Sequence, residues 1–231
     1  MSKRSSSVKD EPNFQPILSK NRVDENEVWS EPVLLPDAKP KGGVETHADQ
    51  IRKAWRSASV VCSWKVTALL MGVAAPLGVF ASVVRSGSFS ALVVLVILAP
   101  LVEELGKVLA PLMVLELHPY RFTSGMQPLL VCVVSGLVFA LIENQFYYRL
   151  YIRNPSLELM EWRGSVCILL HVGCSLISGM GLRRVWQSAR AREAKSDLSA
   201  ASIYFLVAMV IHGLYNALAY GAQVARIVSF D

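Results

Sequence analysis

Beyond residue 60 the chain alternates long apolar runs with short polar connections. Five runs stand out: Trp64–Val84, Phe89–Leu117, Gln127–Tyr148, Gly164–Trp186 and Leu198–Tyr220. Each exceeds the roughly 20 residues that a helix needs to cross about 30 Å of hydrocarbon. The connections RSGS, HPYRFTSG, RNPSLELMEWRG and QSARAREAKSD carry the Pro, Gly and Arg signals that end such runs. In lipid the backbone must satisfy its own hydrogen bonds, so the runs are predicted to be α-helical. The expected fold class is all-α, a polytopic helical membrane protein with five transmembrane helices. Pro100 lies inside the long second run, where it removes a backbone donor and can kink a helix. If Phe89–Ala99 is a separate pass, the count becomes six. No internal repeat is visible.

Residues 1–55 read differently. They are polar, charge-mixed and dotted with proline, and they lack the basic start, apolar core and small-residue cleavage site of a signal peptide. Too little apolar surface is present to offset the entropy of ordering, so a disordered tail is expected, followed by a membrane domain over 56–231. Trp29, Leu34 and Leu35 are stray apolar residues of that tail, with a short docking motif as the alternative.

Composition sharpens the division. The 231 residues are 53% hydrophobic, and mean hydropathy is +0.40. The tail holds nine Lys/Arg and nine Asp/Glu, so the net charge of +5 belongs to the membrane part. Basic loops of this kind suit an anionic membrane surface. No basic helix or aromatic–basic interleaving suggests nucleic acid as a partner. With five spans, ten Lys/Arg (Arg52, Lys53, Arg56, Lys65, Arg121, Arg183, Arg184, Arg190, Arg192 and Lys195) fall on the side of the N-terminus. Five, namely Arg85, Arg149, Arg153, Arg163 and Arg226, fall on the other. That bias predicts a cytoplasmic N-terminus in a plasma (inner) membrane. The four cysteines, Cys62, Cys132, Cys167 and Cys174, show no CxxC spacing and read as small buried residues.

Polar residues at membrane depth are costly and mark function by default. The second run holds Glu103, Glu104 and Lys107; the third holds Glu143 and Asn144; His171 lies in the fourth; His212 and Asn216 lie in the fifth. Lys107 follows the glutamates by four and three positions, so it can reach back to either carboxylate. The glutamates themselves diverge by about 100° around the axis. His212 and Asn216 share a face. Counting about 1.5 Å per residue, Glu143, His171 and His212 each lie roughly 10–12 Å from the outer end of their runs. Glu104 falls deeper, at roughly 22 Å along a straight helix. Singly, each residue has a bland reading, as interhelical glue or as a neutralising partner. Together, three carboxylates, two imidazoles and an ammonium are expensive as mere packing.

The ordered set EExxK (Glu103, Glu104, Lys107), FxxxE (Phe139, Glu143) with Asn144, His171 followed by Ser175 and Gly179, and HxxxN (His212, Asn216) resembles the PrsW family of intramembrane proteases. That family is related to type II CAAX prenyl endopeptidases and ABI/CPBP membrane proteins. The resemblance covers about residues 64–222, one motif per apolar run. The CAAX enzymes carry histidine where this chain has Glu143, so their mechanism does not transfer directly. The resemblance implies an intramembrane endopeptidase acting on a membrane-anchored protein such as an anti-sigma factor.

Amide hydrolysis needs an activated water, a proton donor for the leaving amine and oxyanion stabilisation. A carboxylate taken out of water is a stronger base. Glu104 is assigned as that base, with Glu103 in support and Lys107 keeping a carboxylate ionised. His171 orients the water or assists proton transfer. His212 and Asn216 bind the oxyanion, as the CAAX relatives imply for HxxxN. Glu143 orients a histidine or binds metal, and Asn144 supports the pocket. Zinc would accept His171, His212 and Glu143, or Glu104, with a water; glutamate-dependent hydrolysis without metal explains the same residues. Two rivals come from other classes: an ion-coupled transporter, since intramembrane charges also mark ion paths, and a non-catalytic scaffold that binds single-pass helices.

Overall fold

The computed structural model describes residues 46–83, 91–152 and 154–225, and every regular element among them is helical. Trp29, Leu34 and Leu35, with the whole of 1–45, lie outside the described residues, as do Arg85, Phe89, Arg153 and Arg226. The compact unit runs from Thr46 to Asp231.

Helix α1 (His47–Arg56) lies at the end of the stretch read as a tail. A capping box starts it: the Thr46 hydroxyl accepts from the Asp49 amide, while the Asp49 carboxylate accepts from the Thr46 backbone. The chain then bends by 97° into α2 (Val60–Val83). Trp55 anchors the bend. It is buried edge-on against Tyr120 and Trp186, beneath the Arg190 guanidinium, and its indole donates to Ala194 O.

A short helical turn (Ala91–Val93) and a π-helical turn (Val94–Leu98) lead into α3 (Ala99–Leu117). Helix α3 is patterned inside out. Leu101, Leu105, Leu109, Met113 and Leu117, four residues apart, form an exposed apolar stripe, while Glu103, Glu104 and Lys107 are buried. Such a stripe suits lipid, not water. Helix α4 (Met126–Phe146) continues into a second π-turn (Tyr147–Tyr151). Helix α5 (Leu157–Trp162) passes through a third (Arg163–Cys167) into α6 (Ile168–Arg192). A 3₁₀ turn (Leu198–Ala201) opens α7 (Ser202–Val224).

Helices α4 and α6 pack most extensively, α2 lies against α3 and α4, and α7 lies against α6 and α3. Small residues set the α4–α6 approach. A methyl group on Gly136 would collide with Ser175 and with the His171 carbonyl. A methyl group on Gly179 would press against Cys132 and Leu129 at about 3.1 Å, closer than ordinary van der Waals contact. The small residues four and eight positions after His171 therefore serve close packing, the usual means of joining helices in lipid.

The count of five spans is corrected downward. Three helical stretches among the described residues are long and apolar enough to cross a membrane: Met126–Leu150, Leu157–Arg192 and Leu198–Val224. The bent pair of α1 and α2 makes a fourth at most. The second predicted run falls short for a physical reason: the 19 residues of α3 include Glu103, Glu104, Lys107 and Glu116. Its first three charges are housed by neighbouring helices instead of by lipid.

Candidate active site between four helices

Helices α3, α4, α6 and α7 each send charged or imidazole groups into one buried cluster. At its centre Lys107, with no exposed surface, donates from Nζ to Glu104 Oε1 at 2.6 Å and to His171 Nδ1 at 3.1 Å. The ammonium also lies over the Phe139 ring, 4.8 Å from its centroid. Ser135 Oγ donates to the Lys107 carbonyl and ties α4 to α3 at the same level.

The imidazoles are each oriented by a carboxylate. His212 Nδ1 donates to Glu104 Oε1 at 2.7 Å, and His171 Nε2 donates to Glu143 Oε2 at 2.9 Å. An ionised carboxylate only accepts, so these contacts fix the tautomers. His212 keeps a lone pair on Nε2, 3.7 Å from Glu103 Oε2. The rings sit edge to face with centroids 5.0 Å apart. Glu104 Oε2 is buried and has no hydrogen-bond partner.

Sequence spacing suggested that Glu104 would lie below the histidines. The structure brings it into direct contact with His212. The five-residue π-turn ahead of α3 shortens the straight count by only about 2 Å and so accounts for a small part of the difference. Asn216 is half-buried on α7, and its Nδ2 donates to Leu95 O within that π-turn at 3.0 Å. Asn144 is buried, donates to Arg163 O and accepts from Arg163 Nε, both at 3.0 Å.

Arg163 was missed by sequence reasoning, which counted it among the loop arginines. It is buried, with its guanidinium 3.1 Å from Glu143 Oε2 and 3.4 Å above the centre of the Tyr147 ring. An arginine immediately before a long apolar run was the only signal available.

Glu103, His171 and His212 offer ligand atoms that all lie within 4.8 Å of one another. The sequence-based ligand set named Glu143 or Glu104 as third member. Glu143 instead sits behind His171, tying the imidazole to Arg163. The donor set is of the kind zinc takes, two imidazoles and a carboxylate, with each imidazole held through one nitrogen by a carboxylate. His171 would ligate through Nδ1, the atom that accepts from Lys107 Nζ, so the lysine would give up that bond to a metal. Charge agrees. Three carboxylates (Glu103, Glu104 and Glu143) face two cations (Lys107 and Arg163), which leaves an excess of negative charge in a dry interior.

The described residues form a helical bundle with exposed apolar stripes and an interior carboxylate–histidine–ammonium cluster, the architecture of a membrane-embedded polar site. The sequence profile of the PrsW family intramembrane metalloproteases matches residues 53–230, and the chain belongs to that family. No curated protein and no solved structure matches it. The chain is accordingly an integral membrane protease whose substrate is a protein, which sets the carrier reading aside.

Proposed function

We propose that the cluster hydrolyses a peptide bond of a membrane-anchored regulatory protein, with Glu104 as the water-activating base. One observation carries this reading: Glu104 Oε1 is fixed by Lys107 and His212, while its buried Oε2 has no partner. A carboxylate held at one oxygen and open at the other is positioned to accept a proton. Lys107 keeps it ionised without water. The proton taken from the attacking water then passes from the Glu104 carboxyl to the leaving amine, so the base is regenerated.

Glu103, His171 and His212 would hold a zinc ion, with Glu143 and Glu104 orienting the two imidazoles from behind. When bound, the metal would supply a Lewis acid and a water that ionises near neutral pH. Asn144 and Arg163 are positioning residues: together they clamp Glu143 behind His171. Asn216 holds the Leu95 carbonyl with one N–H, and its amide offers a second to the oxyanion. The basic residues that precede the first long span, Arg52, Lys53 and Arg56, favour an N-terminus in the cytoplasm.

The test is cleavage of a tagged single-pass protein by the purified enzyme in liposomes. Stripping metal with a strong chelator is expected to abolish cleavage, and added zinc to restore it. Full activity after verified metal removal would leave the carboxylate chemistry and sink the zinc site.

A further inference from the structure

All three π-helical turns of the described residues border a single cavity of about 220 Å³. Leu95 comes from the first, Tyr147 from the second, and Arg163 and Cys167 from the third; Trp162, Tyr215 and Ala219 also line it. π-turns are rare and collect at functional sites. Here two of the three have a backbone carbonyl held by an amide side chain from another helix, Leu95 O by Asn216 and Arg163 O by Asn144. The cavity borders the catalytic cluster through two of its lining residues, Arg163 and Asn216. Arg163 pairs with Glu143 behind His171, and Asn216 lies one turn beyond His212. His212, Asn216 and Ala219, spaced by four and three residues, form one stripe on α7 that runs from the cluster into the cavity.

Resting on the peptidase reading above, we propose that this cavity receives one large apolar or aromatic side chain of the substrate, at a position flanking the scissile bond. Size and chemistry select the occupant. A cavity of about 150 Å³ already holds benzene, so this one takes a Leu, Met or Phe side chain. The Trp162 indole donates to Tyr215 OH at 2.8 Å, which itself meets Cys167 Sγ at 3.1 Å; the polar tips of the wall satisfy one another and leave the rings for contact. Arg163 is already matched by Glu143 and stacked on Tyr147, so no unmatched cation awaits an acidic side chain. A charged side chain entering here would be desolvated without a partner.

The test uses otherwise identical fluorescent single-span peptides in which one residue at a time is Gly, Leu, Phe or Asp. The full-length enzyme in detergent cleaves them, and mass spectrometry locates the cut. At one flanking position, kcat/KM is expected to favour Leu and Phe over Gly and Asp by roughly 10–100-fold. Ala219→Phe, which fills the cavity, should erase that preference, bringing the Leu, Phe and Gly peptides to within about twofold of one another. Trp162→Ala, which enlarges the cavity, should move the optimum toward Trp. An unchanged profile in both variants overturns the proposal. A benzophenone peptide photolysed with the Glu104→Gln protein provides a readout independent of turnover. Labels within 157–167 or 215–223, lost in Ala219→Phe, support the subsite, and labels elsewhere overturn it. Cavity labelling without any hydrolysis by the wild type would keep the subsite and remove the peptidase reading.

Discussion

Two polar clusters are buried along α4, one at each end, and they are built on opposite terms. At the start, Gln127 is wholly buried. Its carbonyl oxygen accepts from Ser63 Oγ, the Thr123 amide and the Ser124 amide, and its Nε2 donates to Thr67 Oγ1. Thr67 Oγ1 in turn donates to Ser63 O. Every group in this network is neutral. About 24 Å further along the helix, Glu143 joins a cluster that holds two cations and three carboxylates, with Glu104 Oε2 left without a partner. A neutral, satisfied network fastens α2 and a loop to α4. A charged, incompletely satisfied one costs stability, which a protein tolerates where chemistry repays it.

The largest effect expected from this contrast is on rate. Glu104→Gln keeps the shape of the side chain and an oxygen to accept from Lys107 and His212, but it replaces the open carboxylate oxygen with an amide and so removes the base. Cleavage of a tagged single-pass substrate should fall by about 10³-fold or more, within the range for losing a general base. Circular dichroism and elution volume in detergent should stay as in the wild type. Retention of even a tenth of the activity would exclude Glu104 as the base.

Next in size is a loss of stability. Lys107→Met leaves the Glu104 carboxylate buried without its cation, which should cost about 3–5 kcal/mol. The thermal midpoint in detergent should drop accordingly. Adding Glu104→Gln to that variant removes the stranded charge, so the double variant should recover most of the midpoint while remaining inactive. If the double variant melts as low as Lys107→Met alone, the ion pair is not what the lysine is for.

A geometric change should be milder. A methyl group at Gly213 would run into the carbonyl oxygen of Val96, in the π-turn that leads into α3. Gly213→Ala must therefore push α7, with His212, away from the helix that carries Glu103 and Glu104. Displacement on the order of 1 Å in an active site costs roughly 10²-fold, so kcat should fall by about 10–100-fold. An unaltered kcat would mean that this close approach does not set the site.

The two clusters were unequally legible in the sequence. Glu103, Glu104, Lys107, Glu143, His171 and His212 announce themselves because charge inside an apolar run is too costly to be incidental. Which carboxylate faces the histidines was not readable. Chain spacing treats α3 as a straight helix, and the π-turn before it shifts where Glu103 and Glu104 emerge. Arg163 was hidden for another reason: at the border of a run, an arginine that enters the site reads like one that remains in the loop. Ser63, Thr67 and Gln127 drew no notice, since neutral polar residues near helix ends are common. The span count erred because α3 owes its place in the bundle to partners for its charges, and hydropathy along the chain carries no record of those partners.

The smallest expected effect tests the other half of the contrast. Gln127→Leu preserves side-chain volume but strips the acceptor from the Thr123 and Ser124 amides. The Thr123 amide retains Ser63 Oγ at 3.0 Å as an alternative acceptor, whereas Ser124 loses the acceptor described for it. The Ser63 hydroxyl also loses Gln127 Oε1 but can turn to Thr123 Oγ1 at 3.3 Å. That leaves the Ser124 amide as the unsatisfied donor, at about 1–3 kcal/mol, so the melting midpoint should drop by a few degrees. The folded fraction should cleave substrate at a rate within twofold of the wild type, because nothing in this network touches the histidines. A large loss of kcat in Gln127→Leu at unchanged stability would mean that the neutral end of α4 also governs catalysis, and the division between fastening and chemistry would fail.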